Sequence, residues 1–461
     1  MGVAVSNWKL AKEVAKKGKL GVVSGTAIDA VMARRLQLGD PGGHIARAMA
    51  AFPWPDMVKR IWDKYFIPGG KPDDKPFKPV TMPTVKMKKS CVEMLMVSNF
   101  VEVFLAKEGH DGQVGVNYLE KIQMPTLPSI LGAMLAGANV VLMGAGIPLA
   151  IPGVLNQMAH WEPTQMKIQV DGDSAQTSHT CHFDPREYCN GDLPALRRPD
   201  FYAIVSSDII AKTLSRKASG PIDGFVVEYH RAGGHNAPPR RSRNLAAEGH
   251  ALSYGPMDLP DIVKIRDLGK PFWLAGGYAS PEALKEAISL GANGIQVGTA
   301  FALCDESGLL PEIRHDILRG QLDGSLRIQT DFAASPTGYP FKLARLARQP
   351  DSAAAMAERC RVCDLGYLRR PCGAAGESIS YRCPGEPVDI FVNKGGTAEE
   401  TVGRQCLCNG LLAAAGLAQT RRGVLEPPIL TIGENLSFVP HMVRDGNLSY
   451  SASDVIDYLE S

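Results

Sequence analysis

The chain reads as a succession of short apolar runs, each followed by a segment with helical periodicity. Leu20-Gly21-Val22-Val23 predicts a strand and Ala27 to Leu38 a helix, which Pro41, Gly42 and Gly43 stop. Cys91 to Met96 reads as the next strand, with a helix from Phe100 to Lys107. Val114 to Asn117 is followed by a helix from Leu127 to Ala136, and Val140 to Met143 is a strand of buried type. The rhythm resumes at Tyr202 to Val205, Gly224 to Glu228, Phe272 to Leu274 and Gly294 to Val297, with a helix over Pro281 to Leu290. Runs that are apolar throughout suit strands buried on both faces, as in a parallel sheet covered by helices.

About eight such repeats favour a closed (β/α)8 TIM barrel over an open sheet. No G-x-G-x-x-G follows the first strand, which counts against a dinucleotide-binding domain. The barrel spans 19–345, after an N-terminal helical segment, 1–18. Two stretches break the rhythm and read as insertions: 40–88, rich in Pro, Gly and Lys, and 159–200, where Met166 to Val170 suits an extra strand. Residues 346–461 form a helical, cysteine-rich extension, with helices expected over Ser352 to Arg359 and Asn409 to Leu417.

Composition narrows the function. Hydrophobic residues are 45% and charged residues 21%, ordinary for a globular protein. With 50 Lys plus Arg against 48 Asp plus Glu, nothing points to nucleic acid or to an anionic membrane. The run Arg240-Arg241-Ser242-Arg243 reads as a solvated loop. No stretch is long and apolar enough for a membrane span, and the lysine-rich start is no signal peptide. The match of Met1-Gly2 to Ser6 with a myristoylation pattern is of a length that chance supplies. A cytoplasmic protein is expected, with its ten cysteines as thiols or metal ligands.

Two segments carry the strongest chemistry. Phe272-Trp273-Leu274-Ala275-Gly276-Gly277 is a strand ending in two glycines, and Gly294-Ile295-Gln296-Val297-Gly298-Thr299 a strand ending in Gly-Thr before a helix start. In a barrel these are the last two strands, whose loops commonly grip a phosphate. Glycine lets the backbone approach the anion, a helix start offers free N–H groups, and Thr299 adds a hydroxyl. The strand Gly224 to Glu228 leads into Tyr229-His230-Arg231-Ala232-Gly233-Gly234-His235, which sets His235 at the same face as a base or as a donor to developing negative charge. His44, also after Gly-Gly, lies in the first insertion and reads as structural.

Ala232-Gly233-Gly234-His235, Ala275-Gly276-Gly277 and Val297-Gly298-Thr299, in that order, resemble the nitronate monooxygenase (2-nitropropane dioxygenase-like) family over roughly residues 19–345. The resemblance implies an FMN-dependent barrel that oxidises alkyl nitronates with O2 to a carbonyl compound and nitrite, without NAD(P)H. It implies His235 as the catalytic histidine, Ala232, Gly233 and Gly234 along the flavin ring, and Glu228 near the ribityl chain. Gly276, Gly277, Gly298 and Thr299 would hold the phosphate, and Asn117 would contact the flavin. Its partners would be a small-molecule substrate and O2. The chain departs from the family in three places. The first strand ends in Val23-Ser24-Gly25-Thr26, not Ala-Pro-Met. Val205-Ser206-Ser207 lacks the lysine the family often has there, and Asn236-Ala237-Pro238-Pro239-Arg240 replaces a small glycine turn. These changes leave the substrate open. Flavin enoyl-thioester reductases of lipid and polyketide synthesis share the barrel and a similar loop, and a non-catalytic barrel binding a phosphorylated ligand is the reading outside enzymes.

Six cysteines fall in the extension: Cys360, Cys363, Cys372, Cys383, Cys406 and Cys408. Cys360-x-x-Cys363 and Cys406-Leu407-Cys408 have metal-ligand spacing, and Cys363, Cys383, Cys406 and Cys408 are the candidate ligands of a structural zinc, against a set of free thiols. His179, Cys181, His182 and Cys189 form a looser group.

Overall fold

The computed structural model describes residues 2–172, 179–189, 191–240, 253–346, 359, 361–373, 379–444 and 446–461. Seven parallel strands make the central sheet: β1 (Gly21–Ser24), β2 (Val114–Leu119), β3 (Val140–Gly144), β4 (Asp200–Val205), β5 (Gly224–Glu228), β6 (Phe272–Ala275) and β7 (Gly294–Gln296). Their order in the sheet is their order in the chain. An order without reversal has no switch point, so the sheet is wound in the barrel sense and not doubly wound.

The strand expected at Cys91 to Met96 is instead part of a helix, Lys89–Lys107, buried along most of its length. A helix covered on all sides is apolar all round, and a short window of it looks like a buried strand. Met, Leu and Glu in that window are helix formers, and no Gly or Pro interrupts the segment. The sheet therefore has seven strands among the described residues, not eight.

The chain termini lie where an eighth repeat would close the barrel. Along the free edge of β1, Ser24 N–H donates to the Ser6 carbonyl (2.8 Å) and the Ser6 hydroxyl to the Val22 carbonyl (2.6 Å). The Val5 carbonyl accepts from Gly308 N–H (2.8 Å), in the segment beyond β7. The N-terminal helix Trp8–Lys16 packs on the last helix, Ala452–Leu459, which also touches the helices that follow β6 and β7.

Side chains alternate across the strands. Val22, Val140, Leu142, Tyr202, Ile204, Val226 and Ala275 form one cluster, the inside of the barrel. Val23, Val116, Met143, Ala203, Phe225, Val227 and Leu274 face the helices in a larger cluster. Tyr202 and Trp273 stack inside (4.7 Å between centroids), and Gly224 leaves them room: a Cβ there would lie 2.9 Å from the Trp273 ring. Outside, Ser207 and Ser280 cap the helices after β4 and β6 through the N–H groups of Ile210 and Ala283.

Both insertions hold regular elements among the described residues. The first holds helices His44–Ala50 and Pro55–Tyr65, where His44 packs on Trp8 (5.0 Å between centroids), a structural place. The second holds an antiparallel hairpin, Thr164–Lys167 with Thr180–Phe183, slightly before the expected strand. The extension shares the barrel's core, since Leu365, Tyr367, Leu407, Leu412 and Ile429 belong to the helix-facing cluster. Its later helix runs Leu407–Ala414; of the expected helix over 352–359, residues 352–358 lie outside the described residues.

Several buried contacts join extension to barrel: in the helix after β1, Arg34 donates to the Leu417 carbonyl and to Asn409 Oδ1, and the Tyr367 hydroxyl donates to Asp29. Burial pushes the Asp29 carboxyl up to about 6, against the lowering effect of that hydroxyl. The unfolded chain releases the same proton near pH 3.9. Between about pH 4 and 6 the folded state holds a proton that the unfolded state has lost, so stability falls as pH rises. Asp29→Asn should abolish this fall, on the order of 3 kcal/mol. Urea unfolding from pH 4 to 7 reads the difference, and a variant with the parent's slope would refute the assignment.

Candidate active site

The C-terminal ends of the strands gather the side chains expected to act. Asn117 lies in register with Ser24 on one side and Leu142 on the other, and shares its strand face with Gly115. Glu228 is in register with Ala275 and shares its face with Val226. Both therefore point into the barrel near its mouth. Asn117 is buried and its Nδ2 has no hydrogen-bond partner. Burial raises the pKa of Glu228, and the positive charge of Lys121 opposes that shift.

His235 is not on a free loop. Gly234–His235 forms a short strand against Phe341–Arg345, which pairs in turn with Arg327–Asp331. His235 Nε2 is hydrogen bonded to the Ser335 hydroxyl (2.7 Å) and lies 3.4 Å from that of Thr337. The ring meets Phe341 edge-on (4.8 Å between centroids). Arg404 of the extension holds the Ser335 loop, donating to the carbonyls of Ala333 and Ser335 (both 2.7 Å). Burial carries the His235 pKa well below its usual value, and the charge of Lys121 adds to the effect. The imidazole is neutral at pH 7.

The two glycine-bearing ends differ in what the protein itself asks of them. Gly276 has φ +89°, and a Cβ there would lie 2.6 Å from the Tyr229 carbonyl oxygen, so β5 and β6 could not approach with any other residue. Gly277 has φ +105° and more room, its nearest neighbour being the Arg231 side chain at 3.5 Å. Gly298 has φ −111°, and a Cβ there would meet nothing within 4 Å. Nothing in the fold requires glycine at 298. The helix that begins at Thr299 ends at Ala302, too short for the helix-start contribution that the sequence suggested.

A segment of the extension touches the loops after β5, β6 and β7. The Thr431 hydroxyl accepts from Gly234 N–H (2.8 Å), and Gly433 N–H donates to the Thr299 hydroxyl oxygen (2.8 Å). Glu434 N–H donates to the Arg231 carbonyl (3.0 Å), and Asn435 Nδ2 to the Gly277 carbonyl (2.8 Å). The Thr299 hydroxyl accepts from Gly433 and can still donate its own proton. Gly233 serves this strap, since a Cβ there would lie 2.8 Å from the Ile432 carbonyl carbon. Lys342, wholly buried, donates to the His230 carbonyl (2.9 Å) and pairs with Glu434.

The structure thus brings Asn117, Glu228, Ala232, Gly233, Gly234, His235, Gly276, Gly277, Gly298 and Thr299 to one end of the sheet. Sequence reasoning missed Lys121, Ser335, Thr337, Lys342 and the strap 431–435. No periodicity or spacing marked them, because each meets the site across a gap in sequence.

The cysteines give a different result. Cys363, Cys383, Cys406 and Cys408 line one small cavity in the extension. Burial pushes the Cys363 thiol up to about 11 and the Cys408 thiol well above its usual range. Among the described residues no group of three or more His, Cys, Asp or Glu is placed to hold a metal ion. Among the described residues these thiols share a cavity without forming a ligand set, and the expected zinc is not shown. Cys372 is instead close to Ser380 (3.0 Å), and Cys360 lies outside the described residues.

Comparison with known proteins agrees with the motifs. Residues 150–340 match the family model described as nitronate monooxygenase, a stretch that holds all three motifs. A probable nitronate monooxygenase of Bacillus subtilis (strain 168) is 36% identical over 98 residues, 21% of this chain and 26% of that protein. A (3aS,4S,5R,7aS)-5-hydroxy-7a-methyl-1-oxo-octahydro-1H-indene-4-carboxyl-CoA dehydrogenase of Rhodococcus jostii (strain RHA1) is 27% identical over 129 residues, 28% of this chain and 32% of that protein. The chain thus matches about a quarter to a third of these relatives' lengths. A solved structure of FabK from Thermotoga maritima aligns over 100% of this chain and 89% of its own, with TM-score 0.48 and 14% identity. The resemblance to the nitronate monooxygenase family holds over the second half of the barrel. Among the described residues no helix is long and apolar enough to cross a membrane.

The Lys342 contact makes a directional prediction. Glu434→Ala leaves a buried ammonium without its carboxylate, at a cost of about 3 kcal/mol. Lys342→Met removes the charge and leaves behind a carboxylate that is 40% exposed and can hydrate, so it should cost less, about 1–2 kcal/mol. Denaturant unfolding of the two variants decides, and the reverse order would show that this pair does not hold the strap.

Proposed function

We propose that the mouth of the barrel binds FMN and that the protein oxidises alkyl nitronates with O2 to a carbonyl compound and nitrite. The observation that carries the flavin half is Gly298, a glycine at ordinary φ beside open space, which only a ligand pressed against the backbone would require. The residues present fit the group. Gly277, Gly298 and the Thr299 hydroxyl would hold the phosphate, and the Asn117 Nδ2 without a partner would donate to the flavin. Glu228, inward and desolvated, would lie toward the ribityl chain. The nitronate half rests on the family resemblance over residues 150–340.

Bound FMN supplies the acceptor for the electrons of an acidic carbon. The chain's own part is proton handling and orientation. The Ser335 hydroxyl fixes the tilt of the His235 ring, and burial keeps the ring neutral, so a ring nitrogen is available to take a proton from a carbon acid. With a preformed nitronate no proton need be removed, and the same ring serves to orient the anion.

Two experiments test this reading. Gly298→Leu places a side chain where the phosphate would lie, so the variant should fold and lose FMN. A full complement of FMN in that variant, measured after denaturation, would refute the phosphate assignment. In the parent, nitronate alone should bleach the flavin without air, and NADH should do so poorly. His235→Asn should lower the rate about 10²- to 10⁴-fold with a neutral nitroalkane and less with a preformed nitronate, at unchanged FMN content. Rapid bleaching by NAD(P)H with no response to nitronate would rule out the oxidase and point to a reductase.

A further inference from the structure

The loop after β2 turns a lysine into the mouth of the barrel. The Lys121 Nζ is buried and has no hydrogen-bond partner. Its nearest cover is the face of the Tyr339 ring, 4.8 Å away at the centroid. Tyr339 follows Ser335 and Thr337, which hold the His235 ring. The charged and titratable groups acting on this space include Glu228 at the end of β5, Arg370 from the extension, His235, and the terminal amine, which acts on both Glu228 and His235. Arg370 is itself engaged, donating to the Thr337 carbonyl and lying 3.6 Å from Asp171.

We propose that Lys121 binds the anionic head of the substrate, a planar oxyanion with its charge spread over two oxygens; this rests on the flavin reading above. A buried ammonium with no acceptor is strongly disfavoured, and an aromatic face offsets only part of that cost. Glu228 is a weak counter-ion, because burial favours its neutral form. Burial carries the Lys121 pKa down to about 7, the attraction of Glu228 opposing the shift and Arg370 adding to it. The amine therefore gains or loses its proton near neutral pH, and an arriving anion stabilises the protonated form. The flavin phosphate is not that anion. Its grip leaves the sheet from β6 and β7, neither of which is a neighbour of β2. Lys121 and His235 act on the same space, so an oxyanion held by the lysine lies within reach of the imidazole's field.

The test uses FMN-loaded parent, Lys121→Met and Lys121→Arg, titrated with sodium nitrate and followed by flavin absorbance between about pH 6 and 9. Nitrate is a planar oxyanion that the flavin does not oxidise. In the parent, nitrate affinity should fall about tenfold for each pH unit above neutrality. Lys121→Met should bind nitrate about tenfold or more weakly at pH 6 and show no pH dependence. Lys121→Arg should restore binding and keep it level with pH, because guanidinium does not deprotonate in this range. Unliganded Lys121→Met should melt above the parent, since it removes an amine without a partner. FMN affinity should stay within about threefold in both variants, as the phosphate grip is untouched. Nitrate binding by Lys121→Met equal to the parent's would overturn the proposal. So would a slope that survives in that variant, which would assign the titration to another group, Glu228 or the terminal amine. Loss of FMN affinity with nitrate binding unchanged would place the lysine on the flavin instead. A parent that takes up no FMN would sink this inference and the flavin reading together; failure in the nitrate arms alone leaves the flavin reading standing.

Discussion

The mouth of this barrel depends on one buried ammonium. Lys342, on the strand beside Gly234–His235, has no exposed side-chain surface. It donates to the His230 carbonyl and pairs with Glu434, so one group joins the histidine loop, the antiparallel side sheet and the strap. A charge taken out of water must find its acceptors in the protein, and here the two acceptors sit on segments distant from Lys342 and from each other in sequence. Around that anchor the strap reaches the other loops: Thr431 to Gly234, Gly433 to Thr299 and Asn435 to Gly277. The C-terminal extension is thus part of the site.

Desolvation sets the chemistry that this arrangement offers. Burial shifts Glu228, His235 and Lys121 each toward the neutral form, and all three meet in one space. In water a carboxylate and an ammonium would be the charged partners of such a trio. Inside the barrel the charge of each depends on what binds beside it, so protonation and ligand binding are coupled. The Ser335 and Thr337 hydroxyls, set by Arg404 and Arg370, fix the orientation of the imidazole before a ligand arrives.

Closure follows a similar principle. A sheet of seven parallel strands leaves β1 and β7 with open edges among the described residues. Ser6 satisfies the β1 edge through Val22 and Ser24, and the first and last helices cover the gap. An exposed edge is a template for unwanted pairing, and covering it with Ser6 and these helices removes that hazard.

The sequence by itself determined the parallel α/β sheet, the glycine-bearing ends of its last two strands and the place of His235 at the same end. These are local facts: a strand buried on both faces must be apolar along its run, and a chain that turns at positive φ, as at Gly276 and Gly277, favours glycine. It misled at Cys91 to Met96, because burial on every side erases the periodicity that separates helix from strand. In the extension it marked four cysteines that the fold does bring to one cavity, yet among the described residues they form no group placed to hold a metal ion. Only the tertiary structure decided that the Lys121 Nζ lies near His235 without a hydrogen-bond partner, that Ser335 holds the ring and that residues 431–435 meet the loops after β5, β6 and β7. Those relations join residues about a hundred or more positions apart. They arise from which groups the fold withdraws from water together, and no single stretch of sequence encodes that.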